Sequence, residues 1–268
     1  MKMHGLFAAG CLLAMSSAAM AAGSGNVAVK SRPVDYKIGT QEFEGLFVYP
    51  AASKGKLPGV LMVSDWLGVT DKTKQQAERV AKLGLAVFAV DVYGKGIRAK
   101  SPQEATQLST KYKSDRKLFR ERVARGLDIL REQKDVDGSK IIAVGYCFGG
   151  TGVIELARAG ANVDAVVSFH GGLDSPNPAD GKNIKTRVIA LQGADDPFVK
   201  AADIAAFQNE MRTNNVDWEM ALYGGAVHAF TDTTAGSDVK AGAAYDAKAD
   251  YRSFEVLSDL VNDLYHKH

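Results

Sequence analysis

The segment Ile141-Ile142-Ala143-Val144-Gly145-Tyr146-Cys147-Phe148-Gly149-Gly150 constrains this chain more than any other. Ile141, Ile142 and Val144 form a short apolar run suited to a buried parallel strand. Residues 151–157 predict a helix. Strand, G-x-C-x-G turn and helix in direct succession are the setting of a nucleophile elbow, in which a strained turn lifts a reactive side chain above the end of a sheet. Gly145 and Gly149 keep the neighbouring positions free of Cβ atoms, so strand and helix can pack closely. Cysteine stands where such turns commonly carry serine. The alternative is a small, buried, unreactive thiol, and the rest of the chain decides between the two.

A chain of 268 residues, 46% hydrophobic and 24% charged, suits one α/β domain with a sizeable core. A formal net charge of +2, with no dense Lys/Arg block, argues against nucleic acid or an anionic membrane as partner. At the N-terminus, Lys2 and His4 precede a nearly continuous apolar or small stretch over 5–20, and Ala19-Met20-Ala21 supplies small residues for cleavage. The pattern predicts a secretory signal peptide over 1–21, cleaved after Ala21, and a single domain over 22–268. The protein is then expected to be periplasmic or secreted, with no membrane anchor after cleavage. A membrane-spanning anchor needs a longer apolar run. Lipid attachment at Cys11 is opposed by the apolar residues that continue beyond it. Cleavage leaves Cys147 as the one cysteine of the mature chain, so no intramolecular disulfide can form. Oligomeric state has no signal in the sequence.

Taken in order, residues 34–38 and 43–49 predict an antiparallel hairpin, and 59–64 a buried strand ending in the loop Asp65-Trp66-Leu67-Gly68. Asp71 is expected to cap a helix running to about Leu83, with Ala77, Val80, Ala81 and Leu83 facing inward. Residues 86–90 form the next strand. Ser101, with Pro102 in the first turn, starts a helical region reaching about Gln133. Its part over 111–122 is charged, which suggests a solvated face or a lid. Strands are expected at 141–146, 165–169, 188–191 and 218–223, with helices at 201–213 and from Ala243 to about Tyr265. Strands alternating with helices predict a mostly parallel central sheet flanked by helices on both faces. Ligands of such sheets bind at the carboxyl ends of the strands.

A cysteine nucleophile needs a base, usually histidine, and that base needs an acid to hold its tautomer. Of the five histidines, His4 leaves with the signal peptide, and His266 and His268 lie at the C-terminus. His228 sits in a glycine-rich loop after the last strand, and His170 directly follows a strand and is expected to form pocket wall. The acid should lie between Cys147 and His228 at a strand end. Asp195 and Asp196 both qualify; Pro197 fixes the turn that follows and favours Asp196, although both aspartates could simply form the turn. The backbone N–H of Phe148 and that of Trp66, in the loop after an earlier strand, are the candidate oxyanion donors. The histidines lack metal-ligand spacing, so no metal or other cofactor is expected.

These segments together resemble the dienelactone hydrolase family, cysteine-dependent members of the α/β-hydrolase fold. The matching stretches are Asp65-Trp66-Leu67-Gly68, Asp91-Val92-Tyr93-Gly94, Gly145 to Gly150, Gly193-Ala194-Asp195-Asp196-Pro197 and His228-Ala229-Phe230. The resemblance implies Cys147 as nucleophile, His228 as base, Asp196 as acid, and Phe148 and Trp66 as oxyanion donors. It also implies a thiol-activating or pocket role for Asp65, Tyr93, Lys95 and His170. Three positions depart from the dienelactone-cleaving type. Asp65 stands where that type has a thiol-activating glutamate. Lys95 and Asp232 stand where it has two carboxylate-binding arginines. Lys95 offers a point charge without bidentate geometry, and Asp232 repels a carboxylate. The expected substrate is therefore a small neutral ester, lactone or thioester, cleaved through an acyl-enzyme. Two other readings compete with hydrolysis. One is a catalytically weak small-molecule-binding or stress-response protein on a hydrolase scaffold; the other is a redox-sensing thiol, which lacks a resolving cysteine.

Overall fold

The structure is a computed structural model that describes residues 27–266. The expected signal peptide and Cys11 lie outside these residues. Ten-residue strands β1 (Val29–Ile38) and β2 (Gln41–Pro50) form the antiparallel hairpin. β3 (Leu57–Val63), β4 (Ala86–Val90), β5 (Val136–Tyr146), β6 (Ala165–Phe169), β7 (Arg187–Gly193) and β8 (Trp218–Tyr223) follow. All eight join one sheet in the order β1-β2-β4-β3-β5-β6-β7-β8, parallel from β4 onward. This is the α/β-hydrolase fold anticipated above.

The strand sequences explain the layering. β4 and β6 are buried at every residue, as a strand covered on both faces must be. Helices α1 (Asp71–Ala81) and α6 (Ala247–Tyr265) pack on one face, against Val60, Met62, Val87 and Ile142. Helices α2 (Pro102–Ser114), α3 (Arg116–Arg131), α4 (Phe148–Arg158) and α5 (Ala201–Thr213) contribute to the core on the other, with Leu61, Val63, Phe88 and Ala143. The winding direction reverses between β3 and β5, because β4 lies on one side of β3 and all later strands lie on the other. A crevice opens at the carboxyl ends of strands at such a point.

Several expected boundaries change, β5 for instance starting at Val136, and three of the changes have a visible cause. Thr70, not Asp71, is the N-cap of α1, and its N–H donates to the Thr73 hydroxyl at 3.2 Å. The long helical region after Ser101 is two helices, because Asp115 leaves helical geometry and accepts from the Leu118 N–H at 2.9 Å. α6 starts at Ala247, since Gly242 and Ala244 are occupied in backbone hydrogen bonds with His228. The stretch 111–122 is more than a solvated face. Tyr112 and Phe119 are core residues, and Arg116 and Arg120 pair with Asp174, Asp180 and the buried Glu155.

Candidate active site

Cys147 follows β5 with φ 54° and ψ −115°, a left-handed conformation that a non-glycine residue adopts only under constraint. The constraint is visible. The Cys147 N–H donates to the Phe169 carbonyl at 2.9 Å, and its own carbonyl accepts from Gly150 at 3.0 Å as α4 begins. A Cβ on Gly145 would be driven into the Gly149 carbonyl, and one on Gly149 into the Val63 carbonyl. Both glycines are therefore demanded by contact between backbones.

His228 is held from both sides: its N–H donates to the Gly242 carbonyl at 3.1 Å, and its carbonyl accepts from Ala244 at 3.0 Å. Its Nε2 lies 3.0 Å from Cys147 Sγ, and its Nδ1 lies 2.8 Å from Asp196 Oδ2. Asp196 is buried, and its other oxygen accepts from the Phe198 N–H at 2.8 Å. Asp195 faces solvent and accepts from the Gly225 N–H at 3.0 Å. Of the two aspartates, Asp196 therefore meets the histidine. Burial pushes His228 down, but its electrostatic interaction with Cys147 and its hydrogen bonds to Asp196 and Cys147 outweigh that, leaving the imidazole raised to about 10. When protonated, the ring can donate from Nε2 to the Cys147 sulfur and from Nδ1 to the Asp196 carboxylate.

Phe148 is the first residue of α4, so its N–H has no acceptor within the helix and is free to address a ligand. Trp66 lies in a turn fixed at three points. Asp65 Oδ1 accepts from the Leu67 N–H at 2.9 Å, the Asp65 carbonyl accepts from Gly68 at 3.2 Å, and the Tyr93 hydroxyl donates to the Trp66 carbonyl at 2.9 Å. Tyr93 is fixed in turn by Asp91, which accepts from its N–H at 3.1 Å, and its ring packs 5.7 Å from that of Phe148.

Cys147, His228, Asp65, Trp66 and His170 line one cavity of about 450 Å³, together with Lys72, Phe198, Thr231 and Asp232. His170 lies 5.2 Å, ring to ring, from His228, and its Nε2 meets the Thr231 hydroxyl at 2.8 Å. Burial, then the charges of His228 and Lys72, hold it well below the ordinary histidine range, so it is neutral.

One sequence expectation needs correction. Lys95 does not line this cavity; its ammonium is drawn away to Asp35 on β1 at 2.6 Å, with Glu44 at 3.8 Å. Asp65 lines it, with Oδ1 accepting from the Leu67 N–H and Oδ2 ion-paired with Lys72. Lys72 was missed by sequence reasoning, which took α1 for its apolar face alone. A usable signal existed: a cation in the first turn of a helix is opposed by the helix dipole unless carboxylates approach it.

Among the described residues, no group of three or more His, Cys, Asp or Glu could hold a metal ion. The dienelactone hydrolase family profile matches residues 43–264. The solved structure of a dienelactone hydrolase-like promiscuous phosphotriesterase from metagenomic libraries is 39% identical, with TM-score 0.84 over 88% of this chain and 99% of that one. A second structure, named m3DLH, is 36% identical with TM-score 0.83 over 88% and 98%. Protein usf of Aquifex pyrophilus is 29% identical over 187 residues, which is 68% of this chain and 80% of that protein. The chain belongs to the dienelactone hydrolase family and is a hydrolase.

Proposed function

We propose that this member of the dienelactone hydrolase family is an exported enzyme that cleaves a small uncharged ester, lactone or thioester through an acyl-enzyme on Cys147. The observation that carries the reading is the continuous line Cys147 Sγ, His228, Asp196, with spacings of 3.0 and 2.8 Å at a strained elbow. The thiolate attacks the carbonyl carbon, and the oxyanion accepts from the N–H groups of Phe148 and Trp66. As the tetrahedral adduct collapses, His228 gives its Nε2 proton to the departing alkoxide, or to the departing thiolate of a thioester. His228, now neutral and held in that tautomer by Asp196, takes a proton from water; the hydroxide attacks the enzyme thioester and the acid is released.

The expected substrate size follows from the cavity of about 450 Å³. An uncharged substrate is supported by Lys72, already paired with two carboxylates, and by Lys95, which lies elsewhere; Lys113 is the remaining cation in the wall. Phosphotriesters belong in the same screen, because one structural relative is named for that activity.

The test is Cys147→Ala assayed with p-nitrophenyl acetate and with intact-protein mass spectrometry. The expected result is loss of turnover and of an acyl adduct in a variant that melts like the parent. Turnover that survives the substitution sinks the assignment. Export is supported by the N-terminal pattern over 1–21 and is checked by the mass of the protein recovered outside the cytoplasm, expected to begin at Ala22.

A further inference from the structure

Lys72 takes no part in the steps above, yet its side chain is only 19% exposed and lies in the cavity wall between carboxylates of two different loops. One is Asp65, on the loop after β3 that carries Trp66. The other is Asp232, on the loop that carries His228; its Oδ2 accepts from Lys72 Nζ at 2.7 Å across 160 residues of chain. Burial opposes the Lys72 charge, and the two carboxylates more than offset it.

Each end of this link continues into the proposed machinery. Asp65 shapes the oxyanion turn through its bond to the Leu67 N–H at 2.9 Å. At the other end, Thr231, the neighbour of Asp232, binds His170 at 2.8 Å, and the His170 ring lies against His228.

We propose that Lys72 is a positioning residue: by bridging Asp65 to Asp232 it holds the oxyanion loop in register with the histidine loop, so that the Trp66 N–H and the His228 imidazole address the same carbonyl group. The proposal rests on the hydrolase mechanism above. It makes the cation a strut rather than a docking point, which also explains how a lysine can sit in the wall of a pocket that takes uncharged substrates.

Four variants test it: Lys72→Met, Asp232→Asn, the two combined, and Lys72→Arg. Each is followed by kcat and KM on p-nitrophenyl butyrate and by thermal melting. A strut acts on the transition state, so Lys72→Met and Asp232→Asn should each lower kcat by about 10- to 100-fold, with KM within about twofold. Both cut the same link, so the double variant should be no worse than the poorer single one. Lys72→Arg, which can still reach both carboxylates, should recover much of the loss.

Wild-type kcat in Lys72→Met overturns the proposal. Recovery of wild-type kcat in the double variant also overturns it, because local charge balance alone then mattered. If Lys72→Met does not fold, near-isosteric Asp232→Asn cuts the strut from its other end, and wild-type kcat in that variant overturns the proposal equally. A parent protein without Cys147-dependent turnover is a different failure, that of the hydrolase reading itself.

Discussion

Asp196→Asn removes one charge and one acceptor while keeping the shape of the side chain. The amide oxygen can still accept from the Phe198 N–H, the bond that fixes Asp196 at 2.8 Å. Its NH2 group is then turned towards His228 Nδ1, where the carboxylate oxygen stood at 2.8 Å. Two donors cannot face each other, so the imidazole is pushed to the tautomer protonated at Nε2, which cannot take a proton from water.

A hydrogen bond between charged partners is worth about 1.5–3 kcal/mol, which lowers the His228 value by roughly one to two units. The starting point is about 10, raised because the Cys147 and Asp196 interactions overcome burial. The alkaline limb of kcat/KM should therefore move down by that amount. Deacylation should slow by about 10²- to 10⁴-fold, with acyl-enzyme accumulating in a burst. Asp195→Asn is the control: its carboxylate faces solvent and accepts only the Gly225 N–H among the hydrogen bonds above, so its rate should stay within about twofold. The assay is a pH–rate profile by pH-stat, from neutral to strongly alkaline pH, with quenched-flow detection of the acyl-enzyme.

Stability provides a second check. A histidine raised in the folded state stabilises fully below its ordinary value of 6.5 and loses that contribution as pH rises through about 10. The parent should lose stability over this window, and Asp196→Asn should lose less. An alkaline limb that stays in place in Asp196→Asn, with turnover within a few-fold of the parent, refutes the assigned role of Asp196.

Tyr93→Phe leaves the Trp66 carbonyl without its 2.9 Å donor, and steady-state kinetics should show kcat down by about tenfold with KM little changed. Gly145→Ala forces a methyl group into the Gly149 carbonyl, so chemical denaturation should show a loss of at least about 3 kcal/mol or no folded protein. Arg158→Met leaves Glu210 buried without its partner at 2.6 Å, while Glu155 loses one contact at 2.8 Å and keeps Arg120, and should cost about 3–5 kcal/mol in urea unfolding. The same guanidinium holds the carbonyls of Leu173 and Asp174, so the loop carrying Gly172 at the cavity wall should loosen in hydrogen exchange.

The parts of the fold legible in the sequence were those fixed by local chemistry. Ala86–Val90, Ala165–Phe169 and Trp218–Tyr223 emerge with their expected limits, the first two as short, largely apolar runs buried throughout. The elbow was legible for a related reason, since backbone strain demands particular residues close together in the chain, whereas His228 was singled out by elimination and by its loop after the last strand. What stayed hidden depended on partners far away. Asp115 interrupts a helical pattern that otherwise runs through it, and only its capping bond to Leu118 shows the break. Lys95 and Lys72 carry the same charge; the place of Lys72 in the first turn of α1 hints that carboxylates approach it, but not which ones. Asp35 lies 60 residues before Lys95 and takes it outward, whereas Asp232 lies 160 residues after Lys72 and helps keep it in the wall.

The sheet order has a consequence for how activity arises in time. Trp66 follows β3, Cys147 follows β5, Asp196 follows β7 and His228 follows β8, so the proposed reactive groups come from four strand ends spread across the sheet. Cys147 and His228 alone are separated by 81 residues. A ribosome must therefore release nearly the whole chain before the Cys147 thiol can meet the base proposed for it, and truncation before β8 leaves a partial sheet without His228. Turnover should be the last property regained on refolding, after helical signal and core burial, because it waits for the pairings that close the longest loops. Hydrolysis is, in this sense, a clock for completion of the fold.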